Sequence, residues 1–182
     1  MKSLFFILSV FLMSFVYSQA NSTIVWEESR KLTWNDFEGK TDSINFGKAK
    51  TSYSIKILPE QVTVDENDNI QGVENMTVQA EFDKKQSWSL AKFDTVVLSH
   101  EQLHFDIAEL YARKIRRQFY KNILAKRKTY ERFWGDYKVL WDECSTFQNK
   151  LDADTNHGRN KEQNKIWRQL VFDELKKSES FK

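Results

Sequence analysis

The sequence predicts an α+β domain in which a small antiparallel sheet precedes a helical half, and three observations carry that prediction. The first is a period of two in the N-terminal half. Tyr53, Ile55 and Ile57 alternate with Ser52, Ser54 and Lys56, and Met76, Val78, Ala80 and Phe82 alternate with Thr77, Gln79 and Glu81. Successive side chains of a strand point to opposite faces, so this alternation marks half-buried strands. The second is a change of period near Val96, after which His100, His104, Ile107, Tyr111, Ile115 and Phe119 fall on one helical stripe. The third is length, since 182 residues less a short leader are enough for one domain with its own core.

The elements follow in order. Lys2, the apolar run from Leu4 to Val16 and then Ser18, Gln19 and Ala20 have the three regions of a secretory signal peptide. The apolar run is shorter than the ~20 residues of a membrane span. Residues 1–20 are therefore expected to be removed, leaving 21–182 as the domain, secreted or periplasmic and without a stable membrane anchor. Trp34 and Phe37 read as packing residues. Asp65-Glu66-Asn67-Asp68-Asn69 looks like a calcium loop, but Ile70 and Met76 stand where such a loop needs Gly and Glu, so it reads as a polar turn.

In the first helix Arg113, Arg116, Arg117 and Lys121 are expected on the wet side. A second helix is expected from Asp136 as N-cap, with the stripe Leu140, Cys144, Phe147 and Leu151. Trp134 and Trp141 read as packing beside it. The segment from Asp152 to Gly158 mixes turn formers with metal-binding types, and a third helix with Ile166, Trp167, Leu170 and Leu175 follows.

Composition removes several classes. Cys144 is the only cysteine, so no intrachain disulfide forms, and its place on an apolar stripe reads as a small buried hydrophobe. A formal charge of +2 gives no argument for a nucleic-acid partner. The basic run from Arg113 to Lys128 reads as a solvated helix face.

The chemistry is carried by His100-Glu101-Gln102-Leu103-His104, an H-E-x-x-H pattern early in a strongly periodic helix. Residues four apart stand one above the other, so both imidazoles can reach one Zn²⁺ while Glu101 projects toward the water beside it as general base. The expected partner is a peptide or protein substrate. A catalytic zinc has three protein ligands, and the third is open in the sequence. His157, the one remaining histidine, is the first choice. Asp152 or Asp154 are alternatives that would leave His157 as oxyanion stabiliser. Glu109 reads better as a partner of Arg113 at i+4. Leu110 stands where a third histidine of the longer motif would fall.

Leu32-Thr33-Trp34-Asn35-Asp36-Phe37-Glu38-Gly39, Ser87-Trp88, the run Leu98 to Glu109, and Asp152-x-x-Thr155-x-His157-Gly158 with Gln163 and Trp167 together resemble the bacterial family DUF922 of predicted zinc-dependent, zincin-like peptidases. The resemblance implies a zincin-like fold and a site that includes the segment around His157. It departs at Leu151, where the family pattern has Tyr. A substrate laid as an added strand along Met76 to Phe82 is the expected binding mode. The alternative from another class is a non-catalytic, zinc-stabilised binding module whose metal is closed by a fourth ligand, Asp154 or Glu109.

Overall fold

The structure, a computed structural model, describes residues 22–41 and 47–182; the expected leader over residues 1–20 lies outside them. Five strands come first: β1 (Thr23–Val25), β2 (Ala49–Lys50), β3 (Tyr53–Leu58), β4 (Thr77–Asp83) and β5 (Trp88–Ser89). Three helices follow, α1 (Thr95–Leu124), α2 (Tyr130–Thr155) and α3 (Lys161–Lys177). This is the expected α+β order. Among the described residues no helix is long and apolar enough to cross a membrane.

The main sheet has the order β1-β4-β3 with both pairings antiparallel. Ile55 stands opposite Ala80 and Ile24 opposite Phe82. Ile55, Val78, Ala80 and Phe82 are buried, as the period of two requires. A separate ribbon pairs Ala49 with Ser89 and Lys50 with Trp88.

The expectation that Met76 to Phe82 forms a sheet edge is corrected. β4 is the central strand, because the three residues of β1 occupy its second side. Glu81 to Asp83 are thereby paired on both sides and have no backbone groups left to offer an added strand, while Thr77 to Gln79 pair with β3 alone.

Helix α1 lies across the sheet, with Phe105 against Phe82 at 5.7 Å between ring centroids. Its middle is buried nearly all round, because α2 and α3 cover the side that the sheet does not. A helix packed on several faces cannot keep a wet side there. Arg113, expected in solvent, is accordingly buried at 1% exposure, its Nε donating to Glu109 over 2.9 Å. Arg117 and Lys121 are exposed as expected.

The second helix begins at Tyr130, six positions before the expected N-cap. Phe133 in its first turn is buried and packs on Phe119 at 4.8 Å, and this contact anchors the added turns. Asp136 instead accepts hydrogen bonds from Asn122 (2.8 Å) and Gln118 (3.1 Å) of α1. In α3, Asn160 is the N-cap, accepting from the backbone N–H of Gln163, and Trp167 meets Phe147 at 4.8 Å.

Several smaller expectations hold. Phe37 is buried against Phe82 with Trp34 beside it. Trp134, Tyr137 and Trp141 stack in sequence along α2. Asp65 accepts from the backbone of Asn67 and Asn69 at 2.8 and 2.9 Å, which makes its segment a self-closed turn. Cys144 is fully buried, and burial pushes its thiol up to about 11.

Candidate metal centre

Each helix contributes its own part of the site. Asp94 starts α1 by accepting from the backbone N–H groups of Val96 and Val97 (3.0 and 3.1 Å), a capping arrangement that satisfies otherwise orphaned donors. The next turns carry His100, Glu101 and His104, and the two imidazoles stand edge to face at 4.7 Å between centroids. The last turn of α2 brings Asp152.

The chain then reverses through Asn156, His157 and Gly158, all left-handed with φ of 49°, 51° and 79°. Gly158 lies against the ring of His100, and a Cβ there would stand 2.9 Å from Cγ of that imidazole. Thr155 secures the turn, its hydroxyl donating to the carbonyl of Leu151 and accepting from the N–H of Gly158. The first turn of α3 then delivers Asn164.

Three ligand-type atoms converge. Nε2 of His100 is 3.0 Å from Oδ1 of Asp152, Nε2 of His104 is 3.1 Å from the same oxygen, and the two Nε2 atoms are 3.1 Å apart. Their tautomers follow from two amides. Asn164 spends its NH₂ on the carbonyl of Gly158 (2.7 Å), so its oxygen faces Nδ1 of His100 at 3.0 Å. Gln148 spends its NH₂ on the carbonyl of His104 (2.9 Å), so its oxygen faces Nδ1 of His104 at 2.5 Å. An amide oxygen only accepts, so each Nδ1 carries the proton and each neutral ring turns a lone pair inward from Nε2. Two lone pairs and a carboxylate oxygen around one point repel each other unless a positive charge lies among them. His100, His104 and Asp152 thus form a possible metal-binding triad.

The electrostatics point the same way. Burial alone would lower the pKa of His104, but the carboxylates of Asp152 and Glu101, which would stabilise a protonated ring, outweigh it and raise the pKa. Burial would raise the pKa of Asp152, but protonation of the two imidazoles it faces would hold it well below the usual carboxylate range. Both shifts describe a site that favours positive charge at its centre. Glu101, buried at 5% exposure, acts on His104 through its charge, while its backbone carbonyl accepts from the hydroxyl of Thr51 at 3.2 Å.

The remaining sequence candidates fall outside the triad. His157, the first choice as third ligand, is exposed at the rim with Nδ1 3.6 Å from Oδ1 of Asp152. The left-handed turn carries its side chain outward, and Asp152, the alternative, takes the inner position. Asp154 accepts from Lys150 (2.7 Å) and from the indole of Trp167 (3.1 Å). Glu109 accepts from Arg113 and from Arg116 (2.9 and 2.6 Å), so it is the i+4 partner of Arg113, but in the interior and not on the surface. Gln148 and Asn164 are the site residues that sequence reasoning missed. The one signal for Gln148 is a polar residue within the apolar stripe of α2, four positions before Asp152.

Against protein-family models, curated proteins and solved structures the chain shows no match.

Proposed function

We propose that this protein is an exported zinc-dependent peptidase that hydrolyses peptide bonds in a peptide or protein substrate, a zincin-like enzyme of the DUF922 type that its motifs resemble. One observation carries the reading: a carboxylate, Glu101, is buried on the stretch of α1 that carries His100 and His104, whose Nε2 atoms meet a carboxylate oxygen of Asp152 from α2.

The donor set suits zinc. Two imidazoles and a carboxylate are a common zinc set, and ligands at ~2.0 to 2.1 Å around a tetrahedral ion stand ~3.3 Å apart; the triad spacings of 3.0 to 3.1 Å need only a slight opening. Zinc, when bound, supplies Lewis acidity toward a carbonyl oxygen and lowers the pKa of water toward ~7.

The chain's own residues do the rest. His100, His104 and Asp152 would hold the ion, and Asn164 and Gln148 would keep the two rings in the ligating tautomer. Glu101 takes the proton of the attacking water at its carboxylate and returns it to the leaving amine. His157, exposed at the rim, takes the role of oxyanion stabiliser. A substrate strand along β4 is not favoured, because β1 holds Glu81 to Asp83 and Arg116 donates to the carbonyl of Val78 on the remaining stretch. The bond from Thr51 to the Glu101 carbonyl holds the connection from β2 to β3 against the helix turn of the site. The closed binding module is less well supported, because Asp154 and Glu109 are engaged elsewhere.

The test is Glu101→Gln, which keeps the shape and removes the base. The variant is expected to bind zinc like the parent and to lose ~10² to 10⁴-fold in hydrolysis of a peptide identified by library screening. Equal turnover at equal zinc content would refute the role of Glu101, and a parent that holds zinc but cleaves nothing in the library would refute the peptidase reading.

A further inference from the structure

On the side of α1 away from the metal triad, a cavity of 440 Å³ opens between α1, α3 and the segment after β1. That volume falls within the range of small-molecule pockets. Its walls include Trp26, Leu103, Val171 and Leu175, with Phe172 half-exposed at the mouth. The polar groups deep in the wall have partners. Asp106 accepts at one oxygen from both the indole of Trp26 and the amide of Gln102, each at 2.8 Å, and Arg113 donates to Glu109 and to the carbonyl of Leu175.

The charges around the cavity do not balance. Behind the wall, Arg113 of the lining shares the carboxylate of Glu109 with Arg116; Glu109 and Arg116 do not themselves line the cavity. The lining holds three acids: Glu28 and Glu179 are engaged by Lys182 and by Arg113, and Asp106 accepts only from neutral donors, with the charges of Lys31 and Arg168 near it. Lys31, Arg168 and Lys176 also line the cavity, and among the described residues none of the three pairs with a carboxylate. Lys31 and Lys176 lie over the rings of Trp26 and Phe172, at 5.8 and 4.4 Å, and Arg168 donates to the hydroxyl of Ser99.

We infer that this cavity binds an acyl-chain carboxylate, with the chain among Trp26, Leu103, Val171 and Leu175 and the head group among Lys31, Arg168 and Lys176. Charge complementarity selects an anion, since the lining cations Lys31, Arg113, Arg168 and Lys176 outnumber the lining acids Glu28, Asp106 and Glu179. The apolar wall selects a hydrocarbon over a peptide, because buried amide groups of a peptide would lose water and find few partners. The site is independent of the metal reading, though Ser99, Gln102 and Leu103 place a bound chain against the back of the helix turn that carries His100 and His104.

Decanoate, decanol and decyltrimethylammonium, each below its micelle-forming concentration, are titrated by calorimetry into the purified protein. Decanoate is expected to bind, more weakly as salt rises and at least about fivefold more tightly than either comparator. The exposed double variant Lys31→Glu with Lys176→Glu is expected to lose that preference while keeping its circular dichroism spectrum. Val171→Trp, which fills the cavity, is expected to abolish binding, and a stable Trp variant that binds decanoate unchanged would place the ligand elsewhere and overturn the inference. No binding of decanoate to the parent, a preference for the neutral or cationic chain, or an undiminished preference in the charge-reversed protein would each overturn it as well.

Discussion

Gln148 grips His104 at both ends: its amide nitrogen donates to the His104 backbone carbonyl at 2.9 Å, and its amide oxygen faces the imidazole Nδ1 at 2.5 Å. The pair binds α2 to α1 at the site and fixes which ring nitrogen is free for a metal. Second-sphere partners of this kind are worth ~10 to 100-fold in metal affinity. Gln148→Ala is therefore expected to weaken zinc binding by that factor at unchanged fold, read by competition with a chromophoric chelator. Unchanged affinity would show that the ring is held by packing alone.

Gly158 sets the distance between the α2–α3 turn and His100. Its φ of 79° and the 2.9 Å approach of a Cβ to the imidazole leave two costs for any side chain, backbone strain and a clash with a ligand ring. Gly158→Ala is expected to destabilise the fold by about 1 to 3 kcal/mol and to lower zinc affinity as His100 shifts. Denaturant unfolding and the same chelator competition measure the two effects. A variant with parental values in both would mean that the turn relaxes freely.

Much of the site is legible in the sequence because one helix fixes it. The four-residue spacing of His100 and His104 becomes a common face wherever a helix forms, and Glu101 rides with it. The third ligand is different in kind. His157, Asp152 and Asp154 lie within six positions, and which one points inward depends on where α2 ends and on the left-handed backbone of Asn156 to Gly158. Asn164 carried no signal of its own and Gln148 only its place within the apolar stripe of α2, since neutral amides are common on helices and their roles exist only where three helices meet.

The fold divides in the same way. The alternation in β3 and β4 and the stripes of α1 and α2 are local patterns, and they appear where expected, whereas in α3 Ile166 and Leu170 are exposed and Val171 joins Trp167 in the interior. The position of β4 in its sheet is not local. It rests on three residues, Thr23–Val25, pairing across more than fifty positions of sequence, and three residues are too few to show a period. The wet side assigned to Arg113 failed for a related reason, because burial by α3 and by the segment carrying Trp26 is decided by tertiary packing.

Glu109 and Arg113 are both buried, and Arg116 adds a second bond to the same carboxylate. Removing the acid leaves buried guanidinium charge without compensation. Glu109→Ala is expected to cost about 3 to 5 kcal/mol of stability, whereas zinc bound per folded chain stays at the parental value. A loss of metal at intact stability would restore Glu109 as a ligand.

Cys144 is sealed inside the helical half, and its thiol pKa lies at about 11. At pH 8 the thiolate fraction is small and access is closed, so a thiol reagent is expected to react only on unfolding. Raising the pH toward 11 increases the thiolate fraction, so labelling there is limited by opening of the fold. Rapid stoichiometric labelling of the native protein at pH 8 would contradict this placement.

The central claim is that His100, His104 and Asp152 hold the metal while His157 stands outside the ligand set. It is tested most directly by zinc affinity, measured by chelator competition for the parent, Asp152→Ala and His157→Ala under one buffer. Loss of a protein ligand removes a large share of the binding free energy, so Asp152→Ala is expected to weaken binding by about 100-fold or more, and His157→Ala by less than about tenfold. The reverse order, with zinc retained by Asp152→Ala and lost from His157→Ala, would contradict the account.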